Sequence, residues 1–259
     1  MKALLPSLLA LLGSFGPLAA AIVEKPLEYK SGDVVCEGWQ AYDDAVIGPR
    51  PGVLVVHQWT GISDHEKEAA RKLAALGYNV LVADIYGQGV RPQPPAAGKE
   101  AGKYKSDRTL LRARVNAALD VLSHDARTDP SKLAATGYCF GGTTVLELAR
   151  SGTALKGVVS FHGGLDSPTP ADGKNIKAKV LALHGADDPY VPAKDVAAFE
   201  AEMKASGVDY KLIKYPGAVH SFTHKAAGND NSKGAAYNAD ADRDSWFQMA
   251  QFLKQAFGR

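Results

Sequence analysis

Short apolar runs alternate with amphipathic stretches along most of this chain. Gly52-Val-Leu-Val-Val-His57 is apolar almost throughout, as in a strand buried on both faces. Asp64 to Leu76 follows, with Ala69, Ala70, Leu73 and Leu76 at helical spacing and Gly77 as a stop. Tyr78 to Ala83 reads as a strand, and Gly87 to Gly102 as a Pro/Gly-rich surface loop. Leu110 to His124 has a helical period, Asp129-Pro130 reads as a turn, and Leu133 to Thr136 is a further apolar run. The alternation continues with a helix over Gly141–Arg150, strands over Gly157–Phe161 and Lys179–His184, and a helix over Ala193–Ala205. A strand over Asp209–Tyr215 and a helix over Asp240–Phe257 complete it. Strands alternating with helices of this length predict an α/β fold, a mostly parallel central sheet with helices on both faces.

The N-terminal segment breaks this rhythm. Lys2 precedes an apolar stretch from Ala3 to Leu12, then Gly13-Ser-Phe-Gly-Pro17 and Ala19-Ala-Ala21. A positive residue, an apolar stretch and an A-x-A site are the pattern of a signal peptide, expected to be cleaved after Ala21. A retained anchor needs about 20 apolar residues; Pro6, Gly13, Gly16 and Pro17 weaken that alternative. The expectation is residues 1–21 as signal peptide, residues 22–259 as one domain, and a periplasmic or secreted protein without stable membrane association.

The 259 residues are 46% hydrophobic, enough for one large core. A net charge of +2 without a basic run argues against nucleic-acid binding. The CxxC and HExxH spacings are absent, so the expectation is no metal and no cofactor. Asn229-Asp-Asn-Ser232 lacks the full calcium-loop pattern and reads as a surface turn.

Polar residues cluster where strands end, which is where an open parallel sheet binds ligands. Gly137-Tyr-Cys-Phe-Gly141 has the G-x-S-x-G elbow pattern with cysteine in place of serine. Taken alone, Cys139 could be a buried filler, half of a disulfide with Cys36, or a nucleophile. Cys36, in an alternating stretch, reads as a small buried hydrophobe. Asp187 and Asp188 follow the strand ending at His184, and His220 follows the strand ending at Tyr215. The order Cys, Asp, His at three strand ends favours the nucleophile, with a helix N-terminus and an imidazole promoting thiolate. His57 reads as a hydrogen-bonded wall, His162 as packing and His65 as a solvated helix start. Trp59, Phe140, Tyr86 and Phe222 fit a pocket lining or the core equally.

Gly137-Tyr-Cys-Phe-Gly-Gly142, His184-Gly-Ala-Asp-Asp-Pro-Tyr-Val-Pro192 and Gly217-Ala-Val-His-Ser-Phe222 together resemble the dienelactone hydrolase family of α/β-hydrolases. Val53-Leu-Val-Val-His-Gln-Trp-Thr-Gly-Ile62 and Ala83-Asp-Ile-Tyr-Gly87 match as well, in family order, from about residue 25 onward. The resemblance implies an α/β-hydrolase fold and a hydrolase of small-molecule esters or lactones. Within it, Cys139 is the nucleophile, His220 the base and Asp188 the orienting acid, three residues after Gly185. The backbone N–H groups of Trp59 and Phe140 form the oxyanion hole.

The chain also departs from the family. Gln58 stands where the family carries the glutamate that takes the thiol proton, so activation falls to His220. Gln88 and His224 stand where two arginines hold the substrate carboxylate, and Arg91 lies close to Gln88. These four are the candidate substrate-binding residues, and their chemistry points to a neutral ester or lactone at least as much as to dienelactone. The substitutions also leave open a non-catalytic binding protein on a hydrolase scaffold. The expected assembly is a monomer or small oligomer.

Overall fold

The computed structural model describes residues 21–259; the expected signal peptide lies almost wholly outside them. The strands are β1 (Ile22–Ser31), β2 (Val34–Asp43), β3 (Arg50–Val56), β4 (Asn79–Ala83), β5 (Thr128–Tyr138), β6 (Gly157–Phe161), β7 (Lys179–Gly185) and β8 (Tyr210–Tyr215). The α-helices are α1 (Asp64–Ala75), α2 (Ala96–Ser106), α3 (Arg108–His124), α4 (Phe140–Arg150), α5 (Ala193–Ala205) and α6 (Ala239–Ala256). One sheet runs in the order β1-β2-β4-β3-β5-β6-β7-β8. β1 and β2 are antiparallel to their neighbours, and the pairs from β4 through β8 are parallel.

The central strand shows how the core is divided. Strand side chains alternate between faces, so Val53 and Val55 pack with Ala70, Leu73 and Leu253 beneath α1 and α6. Leu54 and Val56 pack on the other face with Leu111, Val115, Val145 and Leu148 from α3 and α4. All four are fully buried, which explains why β3 reads as a continuous apolar run rather than an alternating one.

Two sequence expectations are corrected, and one strand was not foreseen. The Pro/Gly-rich stretch is loop only as far as Pro95. α2 then forms, burying Ala97, Ala101 and Tyr104 along one face, a helical spacing that Gly98 and Gly102 obscure. Asp129-Pro130 lies inside β5 rather than in a turn before it. Residues 130–132 bulge there, since β3 passes from pairing Pro51 with Asp129 to pairing Gly52 with Leu133. β1 went unpredicted because Tyr29 is its sole buried residue, so the strand carries almost no apolar pattern. No helix among the described residues is long and apolar enough to cross a membrane.

Candidate active site

β5 ends at Tyr138 and α4 starts at Phe140, so Cys139 occupies the bend between them. Its φ of 53° and ψ of −113° are sparsely populated for a residue with a side chain. The flanking glycines are required by close approach. A Cβ on Gly137 would lie 2.2 Å from the Gly141 carbonyl oxygen, and one on Gly141 2.2 Å from that of Val56. The strand can therefore turn sharply into the helix and present the sulfur at its N-terminus.

The structure brings Cys139, His220 and Asp188 together from the ends of β5, β8 and β7. His220 Nε2 lies 3.0 Å from Cys139 Sγ, and His220 Nδ1 lies 2.8 Å from Asp188 Oδ2. The other Asp188 oxygen accepts the Tyr190 N–H at 2.8 Å, fixing the carboxylate. The His220 backbone is pinned by Gly234 and Ala236, at 3.2 and 3.0 Å. Asp187, the alternative acid, turns outward and accepts the Gly217 N–H at 3.0 Å.

Burial raises the Cys139 pKa, but the positive His220, its hydrogen bond, the Phe140 N–H and the charge of Lys105 outweigh that and lower it. Burial likewise opposes charge on His220, while the Cys139 sulfur and the Asp188 carboxylate together raise its pKa. Both shifts favour a thiolate–imidazolium pair in which Nε2–H donates to the sulfur and Nδ1–H to the carboxylate.

A cavity of about 760 Å³ opens over the sulfur. Trp59, Phe140, Val191, Tyr190, His220 and the α2 residues Gly98, Gly102 and Lys105 border it. Trp59 follows β3, with its carbonyl held at 3.0 Å by the Tyr86 hydroxyl. Among the described residues no group accepts the Trp59 N–H. The Phe140 N–H, at the first position of α4, faces the sulfur. Phe222 and Tyr86 are core residues, 0% and 4% exposed.

The four candidate substrate-binding residues do not border this cavity. Gln88 points away, its amide near Glu28 and Glu37 at 3.4 and 3.2 Å. Arg91 is spent on Asp84 and on the carbonyls of Gly87, Val90 and Glu37. Gln58 is 6% exposed and hydrogen-bonds Glu66 and His224. His224 borders a separate pocket of about 240 Å³ shared with His65 and Thr223. His65 is not the solvated residue its helix-start position suggests. Its ring packs on Tyr138 and His224, at 4.7 and 5.1 Å, and burial lowers its pKa to about 4.

His57 is fully buried, its Nδ1 2.6 Å from the Gln58 carbonyl while Nε2 accepts the Ile85 N–H. His162 packs its ring 5.3 Å from His220 and bonds Thr223. Both cysteines are free, and Cys36 is fully buried in β2, so the disulfide left open by the sequence does not form.

Two residues that sequence reasoning missed shape the site. Glu66 is fully buried and binds the Gln58 loop; its signal was the Ser63-x-x-Glu66 capping box at the start of α1. Lys105 reaches the cavity only because α2 exists.

The dienelactone hydrolase family model matches residues 37–257. The crystal structure of the dienelactone hydrolase-like promiscuous phosphotriesterase P91, from metagenomic libraries, is 39% identical. It superposes with a TM-score of 0.87, covering 92% of this chain and 99% of that one. An uncharacterized protein of Caenorhabditis elegans is 36% identical over 158 residues, 59% of this chain and 98% of its own. A dienelactone hydrolase from Anabaena variabilis, 22% identical with a TM-score of 0.62, covers 88% of this chain and 98% of its own, and shares the fold. Matched over most of its length by the family model, the chain belongs to the dienelactone hydrolase family and is a hydrolase of carboxylic ester or lactone bonds.

Proposed function

We propose that this enzyme cleaves esters or lactones through a Cys139–His220–Asp188 triad. The observation that carries the reading is the unbroken line from sulfur to imidazole to carboxylate, at 3.0 and 2.8 Å, opening onto a cavity.

The thiolate attacks the carbonyl carbon, and the π electrons move onto oxygen. The N–H groups of Phe140 and Trp59 stabilise that oxyanion, where one donor is typically worth about 10²–10³ in rate. Collapse of the tetrahedral adduct breaks the C–O bond, and His220 Nε2–H protonates the leaving oxygen. A thioester remains on Cys139. Neutral His220 then takes a proton from water as the water attacks the thioester, and the thiolate leaves, restoring the ion pair. Asp188 holds the imidazole in the tautomer that serves both steps. Gln58 bonds Glu66 and His224, so thiol activation rests on His220.

Turnover of p-nitrophenyl butyrate tests the assignment. Cys139→Ala should lower kcat at least about 10³-fold with the fold intact. Near-wild-type turnover by that variant would dismiss it.

The N-terminal pattern supports a further proposal, that the enzyme works outside the cytoplasm. Sequencing the mature N-terminus checks it: a start at Ile22 agrees, and retention of Met1 disagrees.

A further inference from the structure

Three residues other than glycine have a positive φ among the described residues: Cys139 at 53°, His162 at 38° and Ser221 at 57°. Strain of this kind collects at functional sites and persists only where the surroundings hold it. Cys139 forms the elbow, and Ser221 directly follows the base, His220. His162 has no part in the triad, yet its backbone is strained as well.

The turn after β6 brings the His162 ring against the loop that carries the base. The His162 N–H donates to the Leu183 carbonyl at 2.8 Å, which ties the turn to β7. The fully buried ring then meets three residues of one loop. It packs edge-on, 5.3 Å from the His220 ring and 5.1 Å from that of Phe222. Its Nε2 shares a hydrogen bond with Thr223 Oγ1 at 2.9 Å. Burial, with the imidazoles of His220, His65 and His224 nearby, pushes the His162 pKa well below its ordinary value, so the ring is neutral. Nδ1 is buried and has no hydrogen-bond partner. A ring kept for packing alone has no use for nitrogens in a dry interior, where each costs desolvation. The bond to Thr223 is what a histidine supplies here and a phenylalanine would not.

His220 has to aim Nε2 at the sulfur and Nδ1 at Asp188 at the same time. Both bonds lie near the plane of one ring, so a small rotation weakens both. Building on the thiolate-hydrolase reading, we propose that His162 is a positioning residue for this reaction: its bond to Thr223 and its contact with His220 hold the strained loop so that the base stays in line with Cys139 and Asp188. His162 is 0% exposed and does not border the cavity over the sulfur, so it acts on His220 rather than on substrate.

Turnover of p-nitrophenyl butyrate and the pH profile of Cys139 alkylation by iodoacetamide test this. Thr223→Val keeps the side-chain shape and removes the hydroxyl. It should lower kcat about 3–10-fold, the size of one neutral hydrogen bond, and leave KM nearly unchanged. It should also move the alkylation inflection up towards that of a free thiol, as the imidazolium drifts from the sulfur. Thr223→Ser restores the hydroxyl and should recover most of both. His162→Phe keeps a ring without the nitrogen and should match Thr223→Val. The double variant should lose no more than either single one, because all three break the same bond. If His162→Phe does not fold, the two Thr223 variants decide the matter. Wild-type kcat and alkylation profile in Thr223→Val, or a loss that Thr223→Ser does not recover, would overturn this inference and leave the triad standing. Wild-type turnover by Cys139→Ala would overturn the triad reading, and this inference with it.

Discussion

Glu66 and Gln58 are joined twice: one carboxylate oxygen of Glu66 accepts both the backbone and the side-chain N–H of Gln58, each at 3.3 Å. The other oxygen takes the Ser63 N–H and hydroxyl at 2.9 and 2.7 Å. A fully buried charge is tolerated because every face of it is hydrogen-bonded. The pairing ties the start of α1 to the loop whose next residue, Trp59, is the proposed second oxyanion donor. Glu66→Ala should lower stability by about 3 kcal/mol, from several donors left unpaired. It should also lower kcat about 10–100-fold as the donor drifts. Urea unfolding and steady-state kinetics check both; an unchanged kcat would detach this pair from catalysis.

Restoring the family's acid should not help here. Gln58→Glu places a second carboxylate against Glu66, and like charges at that distance raise the pKa of one of them. A carboxyl whose folded pKa exceeds its unfolded value contributes stability at low pH and loses it as pH rises through the folded value. The variant should therefore lose Tm between pH 5 and pH 8 relative to wild type, read by thermal melts. An equal Tm profile would show that the loop rearranges to separate the two groups.

The lowered pKa of Cys139, set by the His220 charge and hydrogen bond against burial, predicts more thiolate at a given pH than a free thiol has. Iodoacetamide should alkylate it at a rate that levels off on the acid side of the ordinary thiol pKa of about 8.5. Asp188→Asn removes the charge that steadies the imidazolium, so the inflection should move up towards the ordinary value. Stopped labelling followed by peptide mass analysis measures both curves. An inflection near 8.5 in the unaltered enzyme would contradict the ion pair.

Behind the cavity, Glu147 is fully buried and receives Arg150 at 3.0 Å and Arg112 at 2.8 Å. Arg150, also buried, reaches Glu202 at 2.7 Å. Removing Glu147 takes one carboxylate from each arginine, but Arg150 keeps Glu202 and Arg112 keeps Asp172 at 2.8 Å, so Glu147→Ala should cost about 1.5–3 kcal/mol. The urea midpoint checks it; a loss under about 1 kcal/mol would mean that water reaches the arginines.

How far the sequence speaks depends on how local the determinants are. The Cys139 elbow is legible because its constraint is written within five residues, where Gly137 and Gly141 meet demands set by backbone contact. Asp188 and His220 are legible because each follows a strong strand pattern and lies in a recognisable block. α2 is hidden because two glycines interrupt its apolar face, and Lys105 is lost with it. Gln88 and Arg91 are misplaced for a different reason. Proximity in sequence to the strand end carries no information on side-chain direction, and Glu28, Glu37 and Asp84 draw both side chains away from the cavity. Glu66 sits in a visible capping box, yet its contact with Gln58 depends on how a loop folds back.

Rapid quenching of the enzyme with an activated ester, followed by intact and peptide mass analysis, tests the central claim most directly. One acyl group should appear on the peptide containing Cys139 within the first turnover, labile to hydroxylamine as a thioester is, and persist longer in Asp188→Asn. An acyl group on any other residue, or full turnover with Cys139 already alkylated, would contradict it.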